Sequence, residues 1–575
     1  MSIATAPTRR KRFLQASADP LIALGLGVAY VVLLLNTVDN LGYARDEGFY
    51  FQAARSYGAW FELLFKDPTT ALTRASVDRY WAANNEHPAL MKSLFALSNL
   101  YLFEKYKWFS DAGTAFRFPG MVLSGLAVAV TYLWGARSVH RGAGIVAAVL
   151  LGMMPRVFYH AHLDCFDMPV AAMWLITTYA FWRSLDRGLF FALFVGVLYG
   201  LLLNTKHNSW LLPPALIAWL LIVHGRSVWR GMKVGRVRVP TALFCMALIG
   251  PLVFYALWPW IWHDTGKRLA AYVAFHMHHE YYNMEFLGRT YWKPPMPLGY
   301  AWLMTFATVP AVTLGLFLAG LFSGARHFLI THLRRPVSKL FARVGKTLSP
   351  RTLTRSDRRR VSAEVLWLLC ILTSYAPWIS TNTPIFGGAK HWITAYPFFC
   401  LFAARAFADA LSAASRSLPK AAAWWRGVPL RLGLGLTAVA APTLITLQSH
   451  PWGLSAYTPI VGGAPGAATL GLNRSFWGYT TGAVRGYLNE NVKPGGSVFV
   501  HDTAMQSWDQ MVKDGMLAQQ VRGAWSIESS SFAVYHHEPH MSRVEYQLWV
   551  DYGTTVPAHI GTHHGVPVIW VFKRP

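Results

Sequence analysis

Residues 20–38 read PLIALGLGVAYVVLLLNTV. This uncharged apolar run is long enough to cross a hydrocarbon core of roughly 30 Å. Arg9, Arg10, Lys11 and Arg12 precede it, which places the N-terminus on the cytoplasmic side. No small-residue cleavage site followed by a soluble stretch comes after it, so the run reads as an anchor rather than a removable leader. Behind it, on the outer side, stands Arg45-Asp46-Glu47-Gly48.

The pattern repeats outward from this anchor. Further apolar runs occupy 119–136, 144–158, 168–182, 189–203, 210–223, 240–258, 301–322, 365–379, 392–408 and 432–447. Basic residues gather in alternate connections. They are Arg137 and Arg141, then Arg183 and Arg187, then Arg226, Arg230, Lys233, Arg236 and Arg238, then the segment 324–360, and last Arg416, Lys420, Arg426 and Arg431. That alternation predicts eleven crossings, with the basic loops inside. The stretch 39–118 then lies outside, and its moderately apolar piece 87–103 is expected as a helix in the interface.

Composition agrees. The 575 residues are 54% apolar and 14% charged, against about a quarter charged in soluble domains. The formal net charge of +26 sits in short inner loops, so nucleic-acid binding is excluded as its explanation. Cys165, Cys245, Cys370 and Cys400 lie in or beside apolar runs and form neither a disulfide framework nor a metal pair. Beyond the last run the texture changes. A turn at Val492-Lys493-Pro494-Gly495-Gly496 precedes an expected strand at 497–501, a second strand is expected at 565–572, and helices at 482–488 and 503–517. The expected architecture is an all-α polytopic membrane domain with juxtamembrane helices in the first outer loop, plus a small C-terminal α/β extracytoplasmic domain. Its divisions are a basic N-terminus at 1–19, the transmembrane domain at 20–448 and the outer domain at 449–575.

In this register six clusters of ionisable residues share the outer face. They are Asp46-Glu47; Glu86-His87-Pro88; the loop holding His160, His162, Asp164 and Asp167; Lys206-His207; the segment with His276, His278, His279, Glu280, Glu285, Arg289 and Lys293; and Lys390-His391. Each has a bland reading. Asp167 would cap the helix entered at Met168-Pro169, and Lys206 would snorkel to headgroups. The three histidines near 278 do not follow the spacing of a zinc helix. Their common side is the informative feature, because ionisable groups near membrane depth mark functional sites.

These residues, in this order, resemble the membrane glycosyltransferases of the C-type fold (GT-C), in particular the protein-mannosyltransferase-like and aminoarabinose-transferase-like branch, glycosyltransferase family 39 and its relatives. The matching pieces are Asp46-Glu47, His87-Pro88, Arg117-Phe118-Pro119, Asp167, Thr205-Lys206, Lys293-Pro294-Pro295, Lys390-His391 and Tyr396-Pro397. Asp164, an additional acid, and Ala89 after the His-Pro pair depart from the pattern.

The resemblance implies an inverting transfer from a polyprenyl-phosphate sugar to a hydroxyl or amine of a glycan, lipid or protein, at the outer face of an inner membrane. Asp46 would be the general base, made more basic by burial at the interface, and Glu47 would hold the base or the acceptor. Asp167 and Asp164 would form a second acidic site, and Glu86 and His87 would touch substrate. Lys206, Arg289, Lys293, Lys390 and His391 would receive the phosphate. A divalent ion (Mg, Mn or Zn) on His160, His162, Asp167, His278 or His279 is left open. The competing reading is a lipid or solute transporter, which would place its polar groups near the midplane of broken helices.

Overall fold

The computed structural model describes residues 9–185, 187–233, 240–342, 355–418 and 427–575. Arg236, Arg238, Lys420, Arg426 and the part of the basic segment at 343–354 fall outside the described residues.

The anchor is helix α1 (Arg9–Leu35). The loop after the anchor, expected outside, contains four α-helices, α2 (Arg45–Lys66), α3 (Pro68–Ala71), α4 (Arg74–Trp81) and α5 (Leu90–Ser98). Helix α5 covers part of the expected interfacial piece and buries Met91, Lys92, Phe95 and Ala96. Helices α6 (Ala112–Ser138), α7 (Arg141–Gly152), α8 (Pro155–His162), α9 (Asp167–Ser184), α10 (Leu189–Leu203), α11 (Leu212–Lys233) and α12 (Thr241–Ala256) follow. An outer stretch then carries α13 (Thr265–Met277) and the hairpin β1 (Met284–Phe286) and β2 (Arg289–Tyr291). The membrane set closes with α14 (Tyr300–Thr308), α15 (Ala311–Ala342), α16 (Arg355–Tyr375), α17 (Tyr396–Ser417) and α18 (Val428–Ser449).

All eleven expected crossings fall on helices. Among the described residues, seven helices are long and apolar enough to span on their own: α1, α6, α11, α15, α16, α17 and α18. Helices α7 and α8 make an eighth crossing if counted together, bent by 68°. The bend falls where Pro155 opens α8, because proline offers no N–H to continue the preceding ladder. Helices α10 and α12 are apolar but shorter. Helix α6 is the axis of the bundle, with 61% of its apolar window buried against 17% for α18. It packs on α1, α7 and α9. The approach to α1 is close because glycines meet. A Cβ on Gly125 would lie 2.6 Å from Val31 and 2.8 Å from the Gly27 carbonyl.

The last segment forms α19 (Gly463–Thr469), α20 (Arg485–Asn491), α21 (Met505–Lys513) and α22 (Ser542–Tyr552) around a sheet of β3 (Ser497–Phe499), β4 (Arg522–Ala524), β5 (Phe532–Tyr535), β6 (His559–His563) and β7 (Val566–Lys573). The strand order is β4-β3-β5-β7-β6, parallel at β4-β3-β5 and antiparallel beyond. This domain rests on the outer helices through α21 against α2.

Candidate active site

The acidic pair opens α2, where free N–H groups and the helix dipole favour negative charge. Ala44 is the N-cap and Glu47 the third helical residue. Glu47 reaches back to accept the Ala44 N–H at 2.8 Å, one half of a capping box. Neighbouring residues on a helix point about 100° apart, so the two acids part company.

Glu47 turns inward. Its carboxylate receives Arg117 Nε at 2.7 Å and Nη2 at 2.8 Å, and the Asp164 N–H at 3.0 Å. Both partners of this ion pair are essentially unexposed. All its hydrogen-bonding capacity serves the junction of α2, α6 and the α8–α9 loop. These contacts differ from the expectation that Glu47 would hold the base or the acceptor. Asp164 is fully buried with neither carboxylate oxygen hydrogen-bonded. Burial first, and the Glu47 charge second, hold its carboxyl well above the usual range. It does not line the cavity described next, so it and Asp167 are not one acidic site.

Asp46 turns outward onto a cavity of about 340 Å³. Asp167, Lys206, Lys390, His391 and His87 line the same cavity. Asp167 stands at the start of α9, where its side chain caps nothing; instead it accepts Lys206 Nζ at 2.6 Å. Lys390 Nζ lies 3.4 Å from Asp46 Oδ2 and 4.0 Å from the centre of the Trp477 ring. His391 packs on Trp378 with ring centres 4.6 Å apart. Trp174, Trp210 and Phe386 supply apolar wall. Asp46 keeps 24% of its side chain exposed, so the burial expected for it is found at Asp164 instead.

Other expected members lie apart. Arg289 and Lys293 are exposed on or after the β1–β2 hairpin and do not line the cavity. Glu86 offers its backbone carbonyl to His276 Nε2 at 2.8 Å, while its carboxylate accepts from Asn84 at 2.6 Å. His162 faces α1, sharing a hydrogen bond with Thr37 at 2.8 Å. His160 stands 3.7 Å from Asp167, His278 is exposed, and His279 stacks on Phe386. Among the described residues no three His, Cys, Asp or Glu side chains gather as metal ligands. The two cavity carboxylates face lysines, so the donor set does not fit a divalent ion.

His207 and His276, placed on the outer face by the sequence but given no role there, stack 3.8 Å apart at the cavity wall. Sequence reading missed two contributors. Trp477 and Asp502 come from the C-terminal domain and left no local signal.

Residues 100–255 match the family model of the dolichyl-phosphate-mannose-protein mannosyltransferases. The class the fold defines is thus a polytopic helical membrane protein with a small C-terminal α/β domain, and the family model matches about a quarter of its length. Solved structures that the chain matches include ArnT from Cupriavidus metallidurans bound to undecaprenyl phosphate, 14% identical over 95% of this chain and 97% of that one, with a TM-score of 0.47. The Archaeoglobus fulgidus oligosaccharyltransferase tethered with an acceptor peptide is 13% identical over 93% of this chain and 71% of that one, TM-score 0.47. Arabinosyltransferase EmbB from Mycobacterium smegmatis is 14% identical over 82% and 44%, TM-score 0.33. No curated protein matches the chain.

Proposed function

We propose that the protein transfers a single sugar from a polyprenyl-phosphate donor to an acceptor hydroxyl or amine on a glycan, lipid or protein, with inversion, at the extracytoplasmic face of the inner (plasma) membrane. The observation that carries this reading is that Asp46 shares one cavity with Lys206, Lys390 and His391. A carboxylate and several cations around one void suit a reaction that releases a proton on one side and a phosphate on the other.

In this reading the acceptor oxygen attacks the anomeric carbon from the face opposite the phosphate. Asp46 takes the acceptor proton, the bond from carbon to phosphate oxygen breaks, and the polyprenyl phosphate leaves with an added negative charge. Lys390 and Lys206 stabilise that charge, worth on the order of a hundredfold in rate for a well-placed donor. The indole rings of Trp174, Trp210 and Trp378 give the sugar flat apolar surface. Asp167 holds Lys206 in place. The orientation follows from the inner position of the basic loops.

The test uses purified protein in proteoliposomes with a radiolabelled polyprenyl-phosphate sugar. Asp46→Asn is expected to lower turnover on the order of 10²- to 10⁴-fold while the protein still binds the lipid. Wild-type turnover in that variant would refute the assignment. Lys390→Gln is expected to slow transfer and weaken product-lipid binding together.

A further inference from the structure

The C-terminal domain reaches Asp46 from behind. The Arg45 N–H donates to the Trp477 carbonyl at 2.8 Å. The Arg45 guanidinium donates through Nη1 to Asp502 Oδ1 at 3.1 Å, and its Nε stands 3.7 Å from Asp46 Oδ1. Asp502 is itself fixed, with its second oxygen accepting the Gly478 N–H at 3.0 Å and 7% of its side chain exposed. So one guanidinium is stretched between two carboxylates, and the closer of them belongs to the outer domain.

The backbone around this contact is unusual. Trp477 and Asp502 adopt φ of 55°, next to Gly478 at 58°. A side chain in the left-handed region is unfavourable and persists where surrounding structure demands it, often at functional sites. The demand here is visible. Trp477 must aim its carbonyl at Arg45 and spread its ring under Lys390, the second cation on Asp46. Gly387 leaves room for that ring, since a Cβ there would fall 2.2 Å from it.

We propose that Asp502 is a positioning residue for the transfer reaction: by gripping Arg45 it fixes the Asp46 carboxylate and limits how much guanidinium charge that carboxylate meets. The inference rests on Asp46 being the base. The charged and titratable groups that face Asp46 are Arg45 on its own helix and Lys390 after Phe386. Along the cavity they are Tyr50, also on α2, and Asp167, Lys206, His87, His207, His276, His279, His391 and Cys165. Behind Arg45 stand Asp502 and Glu538. Asp502 alone among them hydrogen-bonds Arg45 from the C-terminal domain.

The experiment measures transfer against pH with the full-length protein in proteoliposomes for Asp502→Asn, Arg45→Gln and the double variant. Asp502→Asn releases Arg45 toward Asp46. The acidic limb of kcat/KM is then expected to move to lower pH by roughly one unit, and kcat to fall on the order of tenfold, with donor KM little changed. Arg45→Gln removes the cation and is expected to move the limb the other way. The double variant should match Arg45→Gln alone, because Asp502 acts through Arg45, and Asp502→Glu should restore most of the wild-type profile. A loss of packing alone would move neither limb. An unmoved limb in Asp502→Asn, or an Asp502 effect that persists beside Arg45→Gln, overturns the proposal. If Asp502→Asn is not recovered folded, an unmoved limb in Arg45→Gln overturns it equally. The parent reading fails separately: full transfer by Asp46→Asn sinks both, whereas an inactive Asp46→Asn with unmoved limbs sinks only the role of Asp502.

Discussion

Asp46, Glu47 and Asp164 are three acids with three fates, each set by what surrounds the carboxyl. Asp164 must take up a proton as the chain folds, since its carboxyl is held high by burial and by Glu47. Its sign is that of an acid bound more tightly to its proton in the folded state. Stability is therefore favoured below the unfolded value of about 3.9 and lost as pH climbs above it toward the folded value. Asp164→Asn is expected to raise the thermal midpoint at pH 8 and to flatten its fall between pH 4 and pH 8, read by unfolding in detergent. Glu47→Ala should do the opposite at every pH, because it strands Arg117 in the interior, a loss of about 3–5 kcal/mol for a broken buried pair. At this scale the sequence was half legible. An Asp-Glu pair behind an anchor announced chemistry, but side-chain type does not say which acid faces the cavity. The helical turn between adjacent positions does, and Arg117 at the very edge of the apolar run 119–136 was the clue that an acid had to be buried with it. The expectation for Arg289 and Lys293 failed for a related reason. A cation near the right place in sequence order belongs to an exposed hairpin, and only the path of the chain separates it from the cavity.

The membrane helices were the most legible elements, since length and apolarity are imposed by the bilayer itself. What apolarity does not encode is where a helix breaks. The 68° bend at α7–α8 is one such break, and beyond it His160 and His162, two positions apart on α8 and so turned roughly 200° from each other, meet different neighbours. Helix contacts follow finer rules. Helices α1 and α6 cross where Gly27 faces Gly125, and small residues allow such an approach in lipid. Gly125→Val is expected to force the pair apart and lower stability by about 1–3 kcal/mol. Gly25→Ala, two residues before Gly27 with open space around it, should leave the thermal midpoint unchanged. Equal midpoints for the two variants would mean that the crossing is not tight. In the C-terminal domain, the strand at 497–499 lies within the expected 497–501, and the strand at 566–573 overlaps the expected 565–572 and runs one residue past it. Their pairing across β5 depends on partners that local sequence does not name.

At the scale of the whole molecule, charge and chemistry are sorted to opposite ends of the bundle, which gives the proposed orientation a direct check. The four native cysteines are buried, so a single exposed cysteine can report its side. Lys493→Cys, in the turn before β3, is expected to react with an impermeant maleimide in intact right-side-out vesicles. Arg431→Cys, at the start of α18, should react only after permeabilisation, and the reverse pattern would invert the assignment. The least legible part of the molecule was its longest-range part. Tyr43 donates to Asp514 at 2.6 Å and Ser507 to the Ala44 carbonyl at 2.8 Å, contacts that no reading of neighbouring residues could supply. They also impose an order in time. Arg45 leaves the ribosome 457 residues before Asp502, a delay on the order of half a minute at a synthesis rate of roughly 5–20 residues per second. Throughout that interval the end of α2 that carries Asp46 lacks its last neighbours, and it is completed only when the last-made part of the chain packs against it.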